Sequence, residues 1–93
     1  MSTCFEANRP ISLTEIENVD GVSVVQIPNG YFLISGDDDN KPDSVISIDE
    51  VDDRDQFTDV TRYGLNDADS ILVPIEETLG VKFVSEYQKH YWR

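Results

Sequence analysis

The longest apolar run in the chain extends from Gly21 to Gly36, GVSVVQIPNGYFLISG, and carries Asn29-Gly30 near its centre. Asn-Gly is a favoured pair for a two-residue type I′ turn, because both central residues take φ > 0. The run therefore predicts a β-hairpin, Val22 to Ile27 and Tyr31 to Ser35. A tip at Asn29-Gly30 places Ile27 opposite Phe32 and Val25 opposite Ile34. These four side chains then share one face, and Val22, Val24, Tyr31 and Leu33 share the other. A hairpin apolar on both faces is expected at the centre of a sheet. Ser44 to Asp49 alternates, with Ile46 and Ile48 on one side, and predicts a third strand antiparallel to Tyr31–Ser35.

The flanking segments follow other patterns. Met1 to Pro10 is polar apart from Phe5 and is expected as a loose arm or short edge strand. Ser12-Leu-Thr-Glu15 matches a capping box and predicts a short helix from Leu13 to Asn18. Phe57, Val60 and Tyr63 or Gly64 recur at near-helical spacing behind Asp53 and Gln56. That spacing predicts an amphipathic helix from Arg54 to Tyr63, stopped by Gly64. Ile71-Leu-Val73 is expected as a buried strand, and Pro74 to Leu79, followed by Gly80, as a short helix beginning at proline. Val81 to Trp92 reads as a strand, although Phe83, Tyr87 and Tyr91 also sit four apart, a spacing a helix shares. The expected architecture is α+β: a small antiparallel sheet built on a central β-hairpin, with two or three short helices. Phe32, Ile34, Val25, Ile27, Phe57, Val60 and Leu72 are the expected core.

Residues 1–93 are expected to form a single small acidic domain. Seven basic residues stand against 19 acidic ones, a formal net charge of −12, while 39% of the residues are hydrophobic. The apolar content is too high for a disordered acidic tail and places the charge on a folded body. Such charge disfavours direct binding to nucleic acid or to an anionic membrane surface. No apolar run approaches the roughly 18 residues a membrane-spanning helix needs. Cys4 is the single cysteine, which excludes an internal disulfide framework and fits a reducing compartment. The expectation is a cytoplasmic protein, in the host cytoplasm if phage-encoded.

The chain offers little for chemistry. Neither a Ser-His-Asp nor a Cys-His set can be assembled, His90 has no second imidazole beside it, and no Gly-rich phosphate loop is present. Asp37, Asp38, Asp39, Asn40 and Asp43 crowd oxygen ligands into one loop, but position 3 of an EF-hand count is Lys41 and position 6 is Ser44 in place of glycine. That loop reads as solvated acid. No catalytic, metal or cofactor-binding residue is assigned, and no enzymatic activity is expected.

The charge distribution carries the functional expectation. Between Asp37 and Asp69, twelve acidic residues face Lys41, Arg54 and Arg62, a local balance of −9 out of −12. Carboxylates held by a small scaffold can stand where duplex phosphates would lie in a basic groove. Asp37, Asp38, Asp39, Asp49, Glu50, Asp52, Asp53, Asp55 and Asp59 are the candidate contacts with a partner, Asp55 and Asp59 sharing a face of the expected helix. In size and acidity the whole chain resembles the small inhibitors that phages and mobile elements deploy against nucleic-acid-processing enzymes, including anti-CRISPR and anti-restriction proteins. The resemblance implies a DNA-mimic inhibitor whose partner is a basic nucleic-acid-binding protein or nuclease. It rests on composition and transfers no binding position. An immunity protein against a nuclease toxin obeys the same physics. A structural or oligomerisation module is the third reading, with a homodimer formed through the aromatic C-terminal strand around Tyr87, Tyr91 and Trp92.

Overall fold

The computed structural model describes residues 2–36, 40–64 and 66–85. Six strands form one antiparallel sheet: β1 (Ser2–Ser12), β2 (Val22–Ile27), β3 (Gly30–Ser35), β4 (Ser44–Ile48), β5 (Gln56–Tyr63) and β6 (Phe83–Ser85). Their order across the sheet is β2-β3-β4-β5-β1-β6. Two helices, α1 (Leu13–Ile16) and α2 (Asp69–Leu79), complete an α+β architecture. The apolar cluster unites Leu33, Ile46, Ile48 and Val60 of the sheet with Ile16, Ile71, Leu72 and Ile75 of the helices.

The hairpin forms, but its tip and place differ from expectation. Ile27 pairs with Gly30 and Val25 with Phe32, so Pro28 and Asn29 occupy the tip. Asn29 does not take a positive φ, which excludes the type I′ turn, whereas Pro28 supplies a preset φ at the first corner. Gly30 takes the left-handed burden with φ 153°. The slip is two residues, so each side chain stays on its expected face. The face that meets the core is the other one: Val22 and Leu33 are buried in the cluster, and Val24 and Tyr31 pack against it. Phe32, Val25 and Ile27 are only half-buried, and Ile34 is buried outside that cluster. Among the described residues the hairpin also lies at the edge of the sheet, because β4 pairs with β3 on one side and no strand pairs with β2 on the other.

Strand β1, expected as a loose arm or short edge strand, lies inside the sheet between β5 and β6. It pairs with β5 from Ser2↔Tyr63 to Glu6↔Asp59, then shifts register and resumes at Ile11↔Phe57. The extra residues, Ala7 to Pro10, bulge out of the β5 ladder, so Pro10 sits where no cross-strand donor is needed. On its other side Ala7 pairs with Phe83 of β6. The Val81–Trp92 strand is thus observed at Phe83–Ser85, while Tyr87, His90, Tyr91 and Trp92 lie outside the described residues.

The helix expected from Arg54 to Tyr63 is strand β5. Phe57 and Val60 are both buried, three residues apart, because the β1 register shift falls opposite the segment between them and breaks the two-residue alternation. That irregularity imitates helical spacing. Phe57, Thr58, Val60, Thr61 and Tyr63 are residue types that favour strands.

Helix α1 begins as expected, with the Ser12 hydroxyl accepting the Thr14 N–H at 3.3 Å, but ends at Ile16. In α2 the expected strand and helix are one element: Asp69–Leu79 runs through Pro74. Ile71, Leu72 and Ile75 are buried on one side, whereas Val73 points outward. An interior proline costs about 3 kcal/mol, and burial of that stripe at about 1.5 to 3 kcal/mol per side chain offsets it. Gly80 stops the helix as expected, with φ 68° and its N–H donated to the Glu76 carbonyl at 2.9 Å.

Burial ranks the hairpin side chains. Leu33→Ala should cost about 2 to 5 kcal/mol, and Phe32→Ala, on the face no described helix covers, should cost less. Urea unfolding of both variants checks the order, and a larger loss for Phe32→Ala would reverse the assignment of the core face.

Candidate partner-binding surface

The connection between β4 and β5 gathers most of the expected contacts. Asp49, Glu50, Asp52, Asp53 and Asp55 all lie within it and are all exposed. The loop is held by its own backbone and by two of its carboxylates. The Asp52 N–H donates to the Gln56 carbonyl at 2.9 Å, and the Asp55 N–H to the Asp52 carbonyl at 3.0 Å. Asp52 Oδ1 accepts the N–H groups of Arg54 at 2.8 Å and Gln56 at 3.0 Å. Asp55 closes the turn with φ 57°, a left-handed conformation that aspartate tolerates better than most residues. Its carbonyl accepts the Leu13 N–H at 2.9 Å, tying the loop to the start of α1.

At the β4 end, both Asp49 carboxylate oxygens lie 2.8 Å from the Thr61 hydroxyl, which donates to them, and Cys4 Sγ lies 3.8 Å from Oδ2. Thr61 is buried, so this contact pins the loop to the middle of the sheet. Asp49 and Asp52 are therefore anchors. Glu50, Asp53 and Asp55 make no side-chain hydrogen bond or ion pair with another described residue, and their carboxylates remain free to meet a partner.

Between the loop and the β1 bulge lies an open hollow of about 450 Å³, bordered by Pro10, Glu50, Val51, Asp52, Gln56 and Phe57. A second hollow, of about 310 Å³, is formed by Asp52, Asp53, Arg54 and Gln56. Glu50 and Asp52 beside the half-buried Val51 suit a long cationic side chain, whose stem is apolar and whose head is charged. Pro10, Gln56 and Phe57 were not among the expected contacts; β1 brings Pro10 to the loop from about forty residues away in sequence.

The chain matches no known family model, curated protein or solved structure. The surface is therefore read from its own geometry.

Two expectations change. Asp55 and Asp59 do not share a helix face, since Asp55 stands in the turn before β5 and Asp59 lies within the strand. Asp59 belongs to β5, pairs across from Glu6 and is half-buried. Asp37, Asp38 and Asp39 lie outside the described residues. Among the described residues no group of three or more His, Cys, Asp or Glu is placed to hold a metal ion, and no helix is long and apolar enough to cross a membrane.

The division of labour in the loop is measurable. Asp52→Ala removes the acceptor of two backbone N–H groups and should cost about 1 to 2 kcal/mol. Asp53→Ala should change stability by less than about 0.5 kcal/mol. Denaturant titration of the two variants checks this, with equal losses counting against the anchoring role of Asp52.

Proposed function

We propose that this chain is an acidic protein inhibitor that binds and blocks the basic nucleic-acid-binding surface of a partner enzyme, in the manner of a DNA mimic. The observation that carries the reading is the Asp49–Asp55 loop, where Glu50, Asp53 and Asp55 are exposed and unpaired among the described residues while Asp49 and Asp52 hold the backbone in place. A preformed set of carboxylates loses little conformational freedom on binding, and this favours affinity for an equally rigid array of Lys and Arg. In an unstructured acidic segment the same charges would be ordered only at the partner's surface.

The mode of action is occupation of a groove. Carboxylates at the rim take the place of phosphate oxygens, and bidentate contacts with guanidinium groups give the interaction direction. Long-range attraction between a chain of net charge −12 and a basic groove speeds the encounter. An anti-CRISPR or anti-restriction protein of a phage is one setting for this activity. The immunity protein of a nuclease toxin uses the same contacts.

The structure sharpens the choice of variants. Glu50→Lys and Asp53→Lys reverse two free charges, and Asp55→Asn removes a third while keeping a residue suited to the left-handed backbone. The triple variant keeps Asp49 and Asp52 and should fold. Each exposed pair is worth up to about 1 kcal/mol, so the combined loss with added repulsion should lower affinity at least about tenfold. Affinity capture from a bacterial lysate at low and high salt, with mass spectrometry of the retained proteins, tests the proposal. A nucleic-acid enzyme retained at low salt, displaced by DNA and lost in the triple variant is the expected result. Retention of the same partner by the triple variant, or no such enzyme at low salt, counts against it.

A further inference from the structure

Among the described residues strand β2 is an outer edge of the sheet. It pairs with β3 at every position from Val22↔Ser35 to Ile27↔Gly30, without a bulge, and no described strand lies on its other side. Edge strands in isolated proteins are commonly blunted by a charge, a proline, a bulge or short length. Strand β2, Val-Ser-Val-Val-Gln-Ile, is six residues of regular strand with none of these devices.

The charge map singles out the same place. Gly21 to Gly36 contains no Asp, Glu, Lys or Arg in a chain of net charge −12. Two copies repel wherever their acidic surfaces meet, with a range of about 8 Å at physiological salt. The neutral edge is where like-charged copies can approach at least cost. A basic partner, conversely, gains nothing from an uncharged strand and is drawn to the Asp49–Asp55 loop. The sheet face away from the apolar cluster carries Val25, Ile27 and Phe32 beside this edge, each half-buried.

We infer that β2 is a self-association edge, at which two copies of this chain join antiparallel through their β2 strands into one continuous sheet. A two-fold axis perpendicular to the sheet makes the contact self-complementary. It keeps the helix-covered faces of both copies on one side and sets Val25, Ile27 and Phe32 of one copy beside those of the other. The site differs from the C-terminal edge expected from the aromatic residues, and the inference is independent of the inhibitor reading.

The test uses the full chain. Light scattering over a range of concentrations, at a salt level that screens the net charge, should show a shift toward twice the chain mass. Amide exchange at Ser23 to Gln26 should slow as dimer forms. Ser23→Lys with Gln26→Lys places charge on the exposed positions of the edge and should leave a folded monomer by circular dichroism. This variant lowers the net charge to −10, which by overall repulsion alone would favour association. Asn18→Lys with Thr78→Lys makes the same change at exposed positions elsewhere and should keep the dimer. A parent that stays monomeric throughout, a dimer whose β2 amides exchange as fast as in the monomer, or a dimer that survives the edge substitutions would each overturn the inference.

Discussion

The pairing of β1 with β5 holds this fold together. It joins the two ends of the described chain, since β1 is the first strand and carries β6, the last, on its other side. Without it Phe57 would lose Ile11 across the sheet, Val60 would keep Ile48 of β4 alone, and α1 would lose its approach to the loop before β5. Such a contact between distant segments requires closure of a long loop before it stabilises anything. Its reward is the apolar cluster in which Ala7 and Ile11 meet Phe57, Val60 and Phe83.

The same pairing shapes the candidate surface. The register shift between Glu6 and Ile11 pushes residues 7 to 10 out of the ladder, and Pro10 there forms one wall of the hollow beside Glu50 and Asp52. The Thr61 hydroxyl on β5 holds Asp49, and the Leu13 N–H at the start of α1 holds the Asp55 carbonyl. Backbone contacts thus fix the loop at several points, so its free carboxylates can project without forming the loop themselves. Their mutual repulsion is tolerated because water screens exposed charges efficiently.

Charge and neutrality are separated along the sheet. The acidic loop joins the two middle strands β4 and β5, while the charge-free hairpin occupies one edge. An electrostatic partner and a second copy would therefore use different parts of the molecule. Association at the edge would bring two acidic loops into one assembly, and a bivalent inhibitor gains from effective concentration when both sites can engage.

The sequence by itself determined the local features. The hairpin strands, the Ile46/Ile48 strand, the start of α1, the stop at Gly80 and the concentration of acid between Asp37 and Asp69 are all consequences of short-range chemistry. Side-chain alternation, a hydroxyl that reaches the next backbone N–H, and a glycine free to take φ > 0 act over a few residues. Tertiary structure decided which hairpin face met the helices, since both faces are apolar and the positions of α1 and α2 distinguish them. It made Gln56–Tyr63 a strand: an aspartate that accepts nearby N–H groups looks the same before a helix as in a tight turn, and the β1 bulge gave the strand a near-helical spacing. It carried α2 through Pro74, because burial of Ile71, Leu72 and Ile75 outweighs the missing hydrogen bond. It also drew the polar N-terminal segment into the sheet, because strand pairing satisfies backbone groups whatever the side chains, and the partner that made this possible, β5, lies some fifty residues away in sequence.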